Sequence, residues 1–472
     1  MTPWNSSDTT IDARGVILRR MQLVRFPTDP DAPPRPLPFL GHLLPLIQDP
    51  LRLLLVMART RGDAVRIPSG PRTTVLLSSP AFVKRVLRDE PERFSKMTPV
   101  YKAMGTILGK GILTSEGEHW LVHRRIVQPA FHRQKLLGHV DGMRRAAEAT
   151  ASEWERAARS GRNIDVFADM TALTLQVVTE TLLGSRESED MKDLGSATDF
   201  FHHYSQNAPL RLVRIPLSVP TPLHRKHKRA LELLDRVAYR LIDEKRSSGM
   251  RGTDVLSLLL DARYEDGSAM PRQQIRDEVL TLLAAGHDTT ANALSWTFHL
   301  LGLHPAVTER VREELREVLG DRPVTGEDLP NLRYLRWVLS ESMRLYPPAW
   351  VTARLALEDL DFGGVPVNRG DIVMVSPYVT HRRPDLFPNP EAFLPERFAK
   401  EAELPPFAYF PFGGGAHKCI GDQFAIQEAQ IVLATLLRRF DLHAVSGYPV
   451  EPEPLITLRP KGALPMRVRA LG

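Results

Sequence analysis

From about residue 80 to 345 the apolar positions recur at helical spacing, and on either side of that stretch they fall into short, partly alternating runs. The longest helical pattern starts at Pro271, a residue suited to a first helical position, and continues through Ile275, Val279, Leu282 and Leu283 to Leu301. About 30 residues at 1.5 Å each make a helix ~45 Å long, which crosses a whole domain. The β-branched runs Ala64–Ile67 and Thr73–Leu77, with a Ser-Gly-Pro turn at Ser69–Pro71 between them, predict a pair of strands. Strand-like pieces return between Val351 and Val375, broken by Gly363, Gly364 and Gly370; a Pro-rich meander follows to Pro411, and a final helix is predicted from about Gly421 to Phe440. These elements describe a mainly α unit with a small β portion. No internal repeat and no linker-like block divides it.

Six prolines between Pro27 and Pro38 form a stiff, extended lead-in behind a polar tail. The expected organisation is therefore an N-terminal extension over 1–35 and one large domain over 36–472. The apolar stretch near Val16–Val24 is interrupted by Arg19 and Arg20, and the leucine-rich segment 38–58 carries Pro45, Asp49, Pro50 and Arg52. Neither reads as a signal peptide or a membrane anchor, so a cytoplasmic protein is expected.

Of 472 residues, 43% are apolar and 25% charged, the proportions of an ordinary globular chain. The net charge of +6 suits an acidic partner, but no dense basic run or basic-aromatic ladder points to nucleic acid. A single cysteine, Cys419, excludes intrachain disulfides, Cys-rich zinc sites and iron–sulfur clusters ligated by this chain. Gly105–Gly111 is one residue short of a phosphate loop and lacks the Ser/Thr after its lysine, while His119 and His123, four apart, have no third metal ligand in view.

The informative stretch is Phe412-Gly413-Gly414-Gly415-Ala416-His417-Lys418-Cys419-Ile420-Gly421, with a helix starting directly after it. Glycines let backbone N–H groups aim at a sulfur, and a helix N-terminus adds partial positive charge; both favour a thiolate. A buried apolar cysteine beside a turn is the plainer alternative on these residues alone. In the long helix Gly286 is unfavourable by ~1 kcal/mol against alanine, and Asp288, Thr289 and Thr290 interrupt the leucine-rich face. Hydroxyls bonding back to the preceding turn would account for the threonines without any function. Glu341 and Arg344, three apart on a helix, read equally well as a surface pair.

The pattern Phe-x-x-Gly-x-[Arg/His]-x-Cys-x-Gly resembles the haem-binding loop of the cytochrome P450 family. Three further segments match that family in order along the chain: Ala285–Thr290, Glu341–Arg344 and Pro395–Phe398. The resemblance runs from about residue 35 to the end. It implies a single large triangular helical domain built round a long central helix, and a haem-thiolate monooxygenase that inserts one oxygen atom of dioxygen into a C–H or C=C bond. On this reading Cys419 is the axial ligand of haem b (iron protoporphyrin IX), and Phe412, Gly413 and Gly421 shape its loop. Trp120, Arg124, Arg354 and His417 hold the propionates, with His417 making one contact pH-sensitive. Ala285 and Gly286 form the wall beside the porphyrin, and Thr289 with Asp288 relays protons. Glu341, Arg344 and Arg397 form a buried structural triad.

The same resemblance implies electrons from a separate ferredoxin or flavodoxin with its reductase, docking near Arg124, Arg125 and Lys418, and a monomeric protein. Substrate-lining residues are expected in 97–113, 200–220, 351–353 and 455–457, mostly apolar, which predicts a hydrophobic substrate such as a fatty acid, terpenoid or carotenoid. Two alternatives stay open at this point: a haem-thiolate protein that rearranges oxidised substrates without a reductase, and a non-enzymatic haem sensor.

Overall fold

The computed structural model describes residues 32–70, 72–184, 191–208, 216–249, 252 and 254–471. Most of the expected extension, Pro71 of the first turn, and 209–215 of the expected substrate-lining stretch lie outside them.

The two N-terminal strands form as the alternation predicts. Ala64–Ser69 pairs antiparallel with Arg72–Leu77, and Gly70 takes φ +70° in the turn. That pair becomes the edge of a five-stranded sheet. Arg72–Leu77 runs parallel to Ile372–Val375, which pairs antiparallel with Thr352–Ala356, and Phe94–Ser95 closes the other edge. A three-stranded sheet joins Asn163–Asp165 to the C-terminal strands Pro465–Ala470 and Phe440–Ala444. Chain segments distant in sequence are thus locked together at two places.

The central helix spans Arg272–Leu303, 32 residues, and Pro271 caps it from outside in an extended conformation rather than occupying the first helical position. It stays helical through residues 285–290, so the polar cluster does not break it. Helix Val166–Thr181 lies along it at close range: a Cβ added at Gly286 would meet Val178 Cγ2 at 2.9 Å. The glycine that looked unfavourable is explained by helix-to-helix packing, not by a gap in the helix.

Helix Pro99–Leu108 ends at Gly109, φ +73°, and the following loop is held to the central helix by two adjacent carboxylates. Lys110 N–H donates to Asp277 at 2.8 Å and Ile112 N–H to Glu278 at 3.1 Å. A Cβ at Gly109 would strike the Asp277 carboxylate and one at Gly111 Thr281 Oγ1, so two of the three glycines that invited comparison with a phosphate loop serve close packing instead. His119 and His123 stack at 4.3 Å, and each already has a protein partner, the Lys110 carbonyl and Glu278 respectively. The last long helix, Asp422–Leu437, starts at Gly421 and packs against both Val140–Ser160 and the central helix, which sets the cysteine loop against the interior.

Candidate functional site

The cysteine loop is shaped by its glycines. Gly413 and Gly415 adopt φ +69° and +67°, in the left-handed region, and Cys419 N–H closes the loop on the Phe412 carbonyl at 3.0 Å. A Cβ at Gly415 would sit 1.8 Å from the Leu87 carbonyl oxygen, and one at Gly414 would enter the Phe407 ring. Gly421 differs: a Cβ there would meet only the Phe131 ring, at 3.6 Å, an ordinary contact that protein packing tolerates.

Cys419 lies deep in the protein, yet its side chain is exposed, as expected of a sulfur fronting an internal space. Burial raises the thiol pKa, while a hydrogen bond from Gly421 N–H and the charges of Arg124 and Lys418 act against it. Across residues 274–301 of the central helix every side chain is buried or half-buried except Ala285, which is exposed in the middle of the protein. Thr289, one turn on, shares that face and donates to the Ala285 carbonyl at 2.8 Å. Asp288 points elsewhere and is buried. The expected wall residue Ala285 therefore faces open interior, whereas Gly286 faces Val178.

Trp120 and Arg124 come together with His417, far away in the sequence. The Trp120 and His417 rings are 4.0 Å apart, Arg124 lies 5.5 Å from the Trp120 ring centre, and its Nη1 donates to the Lys418 carbonyl at 3.0 Å. Arg354, on the strand Thr352–Ala356, is buried with only its neighbour's carbonyl as hydrogen-bond partner among the described residues. Lys96 joins this group without any motif to announce it. Its ammonium is 5.8 Å from the Trp120 ring and donates weakly to the Ile112 and Leu113 carbonyls at 3.4 and 3.3 Å. Burial, then the charge of Arg354, lowers the Lys96 pKa to about 8.

Burial and the charges of Lys96, Arg354 and Arg124 take His417 down to about 3. Its buried Nδ1 has no partner among the described residues. Three cations acting on one buried imidazole whose Nδ1 is orphaned are poorly balanced by protein alone. A dianionic group lying between Cys419 and the Ala285–Thr289 face would satisfy them, so the residues present fit a haem with its two propionates.

Glu341 and Arg344 are not a surface pair. Neither is exposed, and Arg344 binds both carboxylate oxygens of Glu341 at 2.7 and 2.9 Å, while Arg397 Nε adds a contact at 3.1 Å. The remaining Arg344 donors take the carbonyls of His381, Pro390 and Ala392. His381, which no motif singled out, accepts from Phe410 N–H at 3.0 Å, and Phe410 in turn accepts from Gly413 N–H. The triad therefore supports the cysteine loop through the proline-rich meander. Glu428, on the helix after Cys419, is a second unannounced group: burial raises its carboxyl far above the ordinary value as it faces the Thr290 hydroxyl.

Among the described residues no helix is long and apolar enough to cross a membrane. A lone cysteine on a glycine cradle, with Arg124, Lys96 and Arg354 grouped around the neighbouring His417, is the chemistry that a haem-thiolate site requires. The chain belongs to the cytochrome P450 family, whose model matches residues 30–465. It is 37% identical to cyclooctat-9-en-7-ol 5-monooxygenase of Streptomyces melanosporofaciens, over 88% of this chain and 90% of that one. Pentalenene oxygenase of Streptomyces avermitilis is 32% identical over 93% of this chain and 96% of its own length, and Arabidopsis thaliana LUTEIN DEFICIENT 5 is 30% identical over 83% and 69%. The protein is a haem-iron monooxygenase that acts on hydrophobic small molecules with electrons from redox partners.

Proposed function

We propose that this chain oxygenates a terpene-like hydrocarbon or alcohol, with 36–472 as the working domain and 1–35 as an extension. The relatives whose names mention cyclooctat-9-en-7-ol and pentalenene support that substrate class.

Cys419 is the residue that would ligate haem b, as thiolate, once iron replaces its proton; when bound, the haem supplies dioxygen activation and the oxidation of the C–H bond. Trp120, Arg124, Arg354, His417 and Lys96 would hold the propionates. Gly413 sets the turn, Phe412 closes the loop and Gly421 leaves room for the ring. Ala285 keeps the opposite wall smooth. Thr289 holds a hydroxyl on that same face and can give up its bond to the Ala285 carbonyl to pass a proton, while Asp288 supplies the next exchangeable proton behind it. Gly286 is assigned to helix packing, and Glu341, Arg344 and Arg397 to holding the loop.

An acidic ferredoxin or flavodoxin, with its reductase, suits the net positive charge and the exposed Arg125 and Lys418 beside the loop. We assign the protein to the cytoplasm as a monomer. The observation that carries the reading is the exposure of Ala285, in the otherwise buried run 274–301 of the central helix, and of Cys419 on its glycine-shaped loop. Incubation with a surrogate ferredoxin, its reductase, isotope-labelled dioxygen and a panel of cyclic terpene hydrocarbons tests it. One labelled oxygen atom in a product supports the reading; reductase-independent conversion, or product without label, contradicts it.

A further inference from the structure

Glu278 lies about two turns before Ala285 and about three before Thr289, on the same face of the central helix. Its side chain is wholly buried. Oε2 accepts from Ile112 N–H at 3.1 Å, Oε1 accepts from Gln274 Nε2 at 3.1 Å, and the same Oε1 lies 3.0 Å from His123 Nδ1. His123 belongs to helix Gly117–Val127, between Trp120 and Arg124. One carboxylate of the central helix thus meets both the loop 109–116 and the helix that carries two of the propionate-side residues. Were packing its only task, an apolar side chain of similar volume would fill the position without the cost of a buried carboxylate.

The loop is closed on itself. Thr114 Oγ1 donates to the Gly109 carbonyl at 2.7 Å and Ser115 Oγ to the Gly111 carbonyl at 2.8 Å, and both residues are buried. Its other edge faces Lys96, whose ammonium reaches the carbonyls of Ile112 and Leu113. Ile112 therefore joins two charged groups: its N–H donates to Glu278 and its carbonyl accepts from Lys96. The backbone of Lys96 is fixed separately, its N–H donating to Glu116 Oε1. What remains to be set is the direction of the flexible four-carbon stem, and a lysine keeps one direction only where its ammonium is bonded. The Ile112 and Leu113 carbonyls supply that bonding and hold the ammonium 5.8 Å from the Trp120 ring centre.

Resting on the haem reading above, we propose that Glu278 is a positioning residue for the haem seat: by holding Ile112 N–H it fixes the loop carbonyls that aim Lys96 at the propionate side. It acts through Ile112 and Lys96 and has no contact of its own with that side. A disturbance on the central helix upstream of Ala285 is thereby felt where the propionates are held.

Haem release from the full-length, haem-loaded protein to excess apomyoglobin tests this for wild type, Glu278→Leu, Lys96→Met and the double variant. Leucine fills the space of the carboxylate but offers Ile112 N–H no acceptor. Glu278→Leu should release haem about tenfold faster than wild type. Added to Lys96→Met it should change the rate by less than about twofold, because the residue it acts through is already gone. No acceleration in the single variant, or equal acceleration in both backgrounds, would overturn the proposal, the second outcome marking a general weakening of the fold. A further measurement needs no change at Glu278: amide hydrogen exchange over 109–116, with and without haem. Protection should rise on haem loading in wild type and rise less in Lys96→Met; the same gain in both would also overturn it. Wild-type haem release from Lys96→Met would count instead against the propionate-side assignment of Lys96. A wild-type carbon-monoxide spectrum without the thiolate signature would count against the haem site itself, so the failures are distinct.

Discussion

Arg344 grips Glu341 through two parallel hydrogen bonds, Nε to Oε2 at 2.7 Å and Nη2 to Oε1 at 2.9 Å, and both side chains are wholly inaccessible to solvent. The pair survives burial because the other donors of Arg344 and a backbone N–H at Leu394 complete the network. Replacing Glu341 with Ala leaves two guanidinium groups without their carboxylate. The expected loss is about 3–5 kcal/mol, read by denaturant unfolding, together with failure to retain haem. A Glu341→Ala protein of near-normal stability and full haem content would show that the network does not support the loop.

Gly415 and Gly421 should respond differently to alanine. At Gly415 the new methyl collides with the Leu87 carbonyl and the backbone is left-handed, so the loop itself must move and stability falls with or without haem. At Gly421 the methyl meets only an ordinary contact with Phe131. Gly421→Ala should therefore fold normally and bind haem poorly. Thermal unfolding of the haem-free proteins, beside haem content after reconstitution, separates the two; equal behaviour in both assays would contradict this division.

Thr289 bonds back to Ala285 and shares its open face. Thr289→Ala removes a hydroxyl without removing packing, so haem binding should persist while reduced oxygen is diverted to peroxide. Product and peroxide formed per electron are the quantities to measure. An unchanged ratio would remove Thr289 from proton delivery.

Lys96 has a pKa near 8 in the haem-free fold against 10.5 for an unperturbed lysine. Between these values the unfolded chain binds more protons than the folded one, so this group makes haem-free stability rise with pH from about 8 to about 10.5. Below that window both states are protonated and the folded state carries the full cost of the buried charge. Comparing Tm against pH for wild type and Lys96→Met isolates the contribution: the variant should lose this rise and also hold haem less tightly. Parallel curves would mean that Lys96 is not a buried cation awaiting an anionic partner.

Much of this was legible in the sequence, for physical reasons that differ by element. The central helix and the strand pair Ala64–Ser69 with Arg72–Leu77 follow from local periodicity, and the cysteine loop from glycines whose left-handed angles few other residues adopt. Gly286 was noticed but its cause was not, since Val178 lies more than a hundred residues away. Lys96, His202 and His381 escaped notice because nothing in their neighbourhood distinguishes them. What distinguishes each of them is a partner brought by the tertiary fold: Trp120 for Lys96, Asp288 for His202, Phe410 for His381. The charges that act on His417 come likewise from Lys96 and Arg354, elsewhere in the chain, and its own loop does not announce them.

The central claim is that Cys419 is the thiolate ligand of a haem held between its loop and the Ala285–Thr289 face. The reduced, carbon-monoxide difference spectrum of the purified protein tests it most directly, with Cys419→Ser alongside. A red-shifted Soret band in the wild type, absent from the variant, is the predicted result. A band at shorter wavelength in the wild type, or a red-shifted band surviving in Cys419→Ser, would contradict the account.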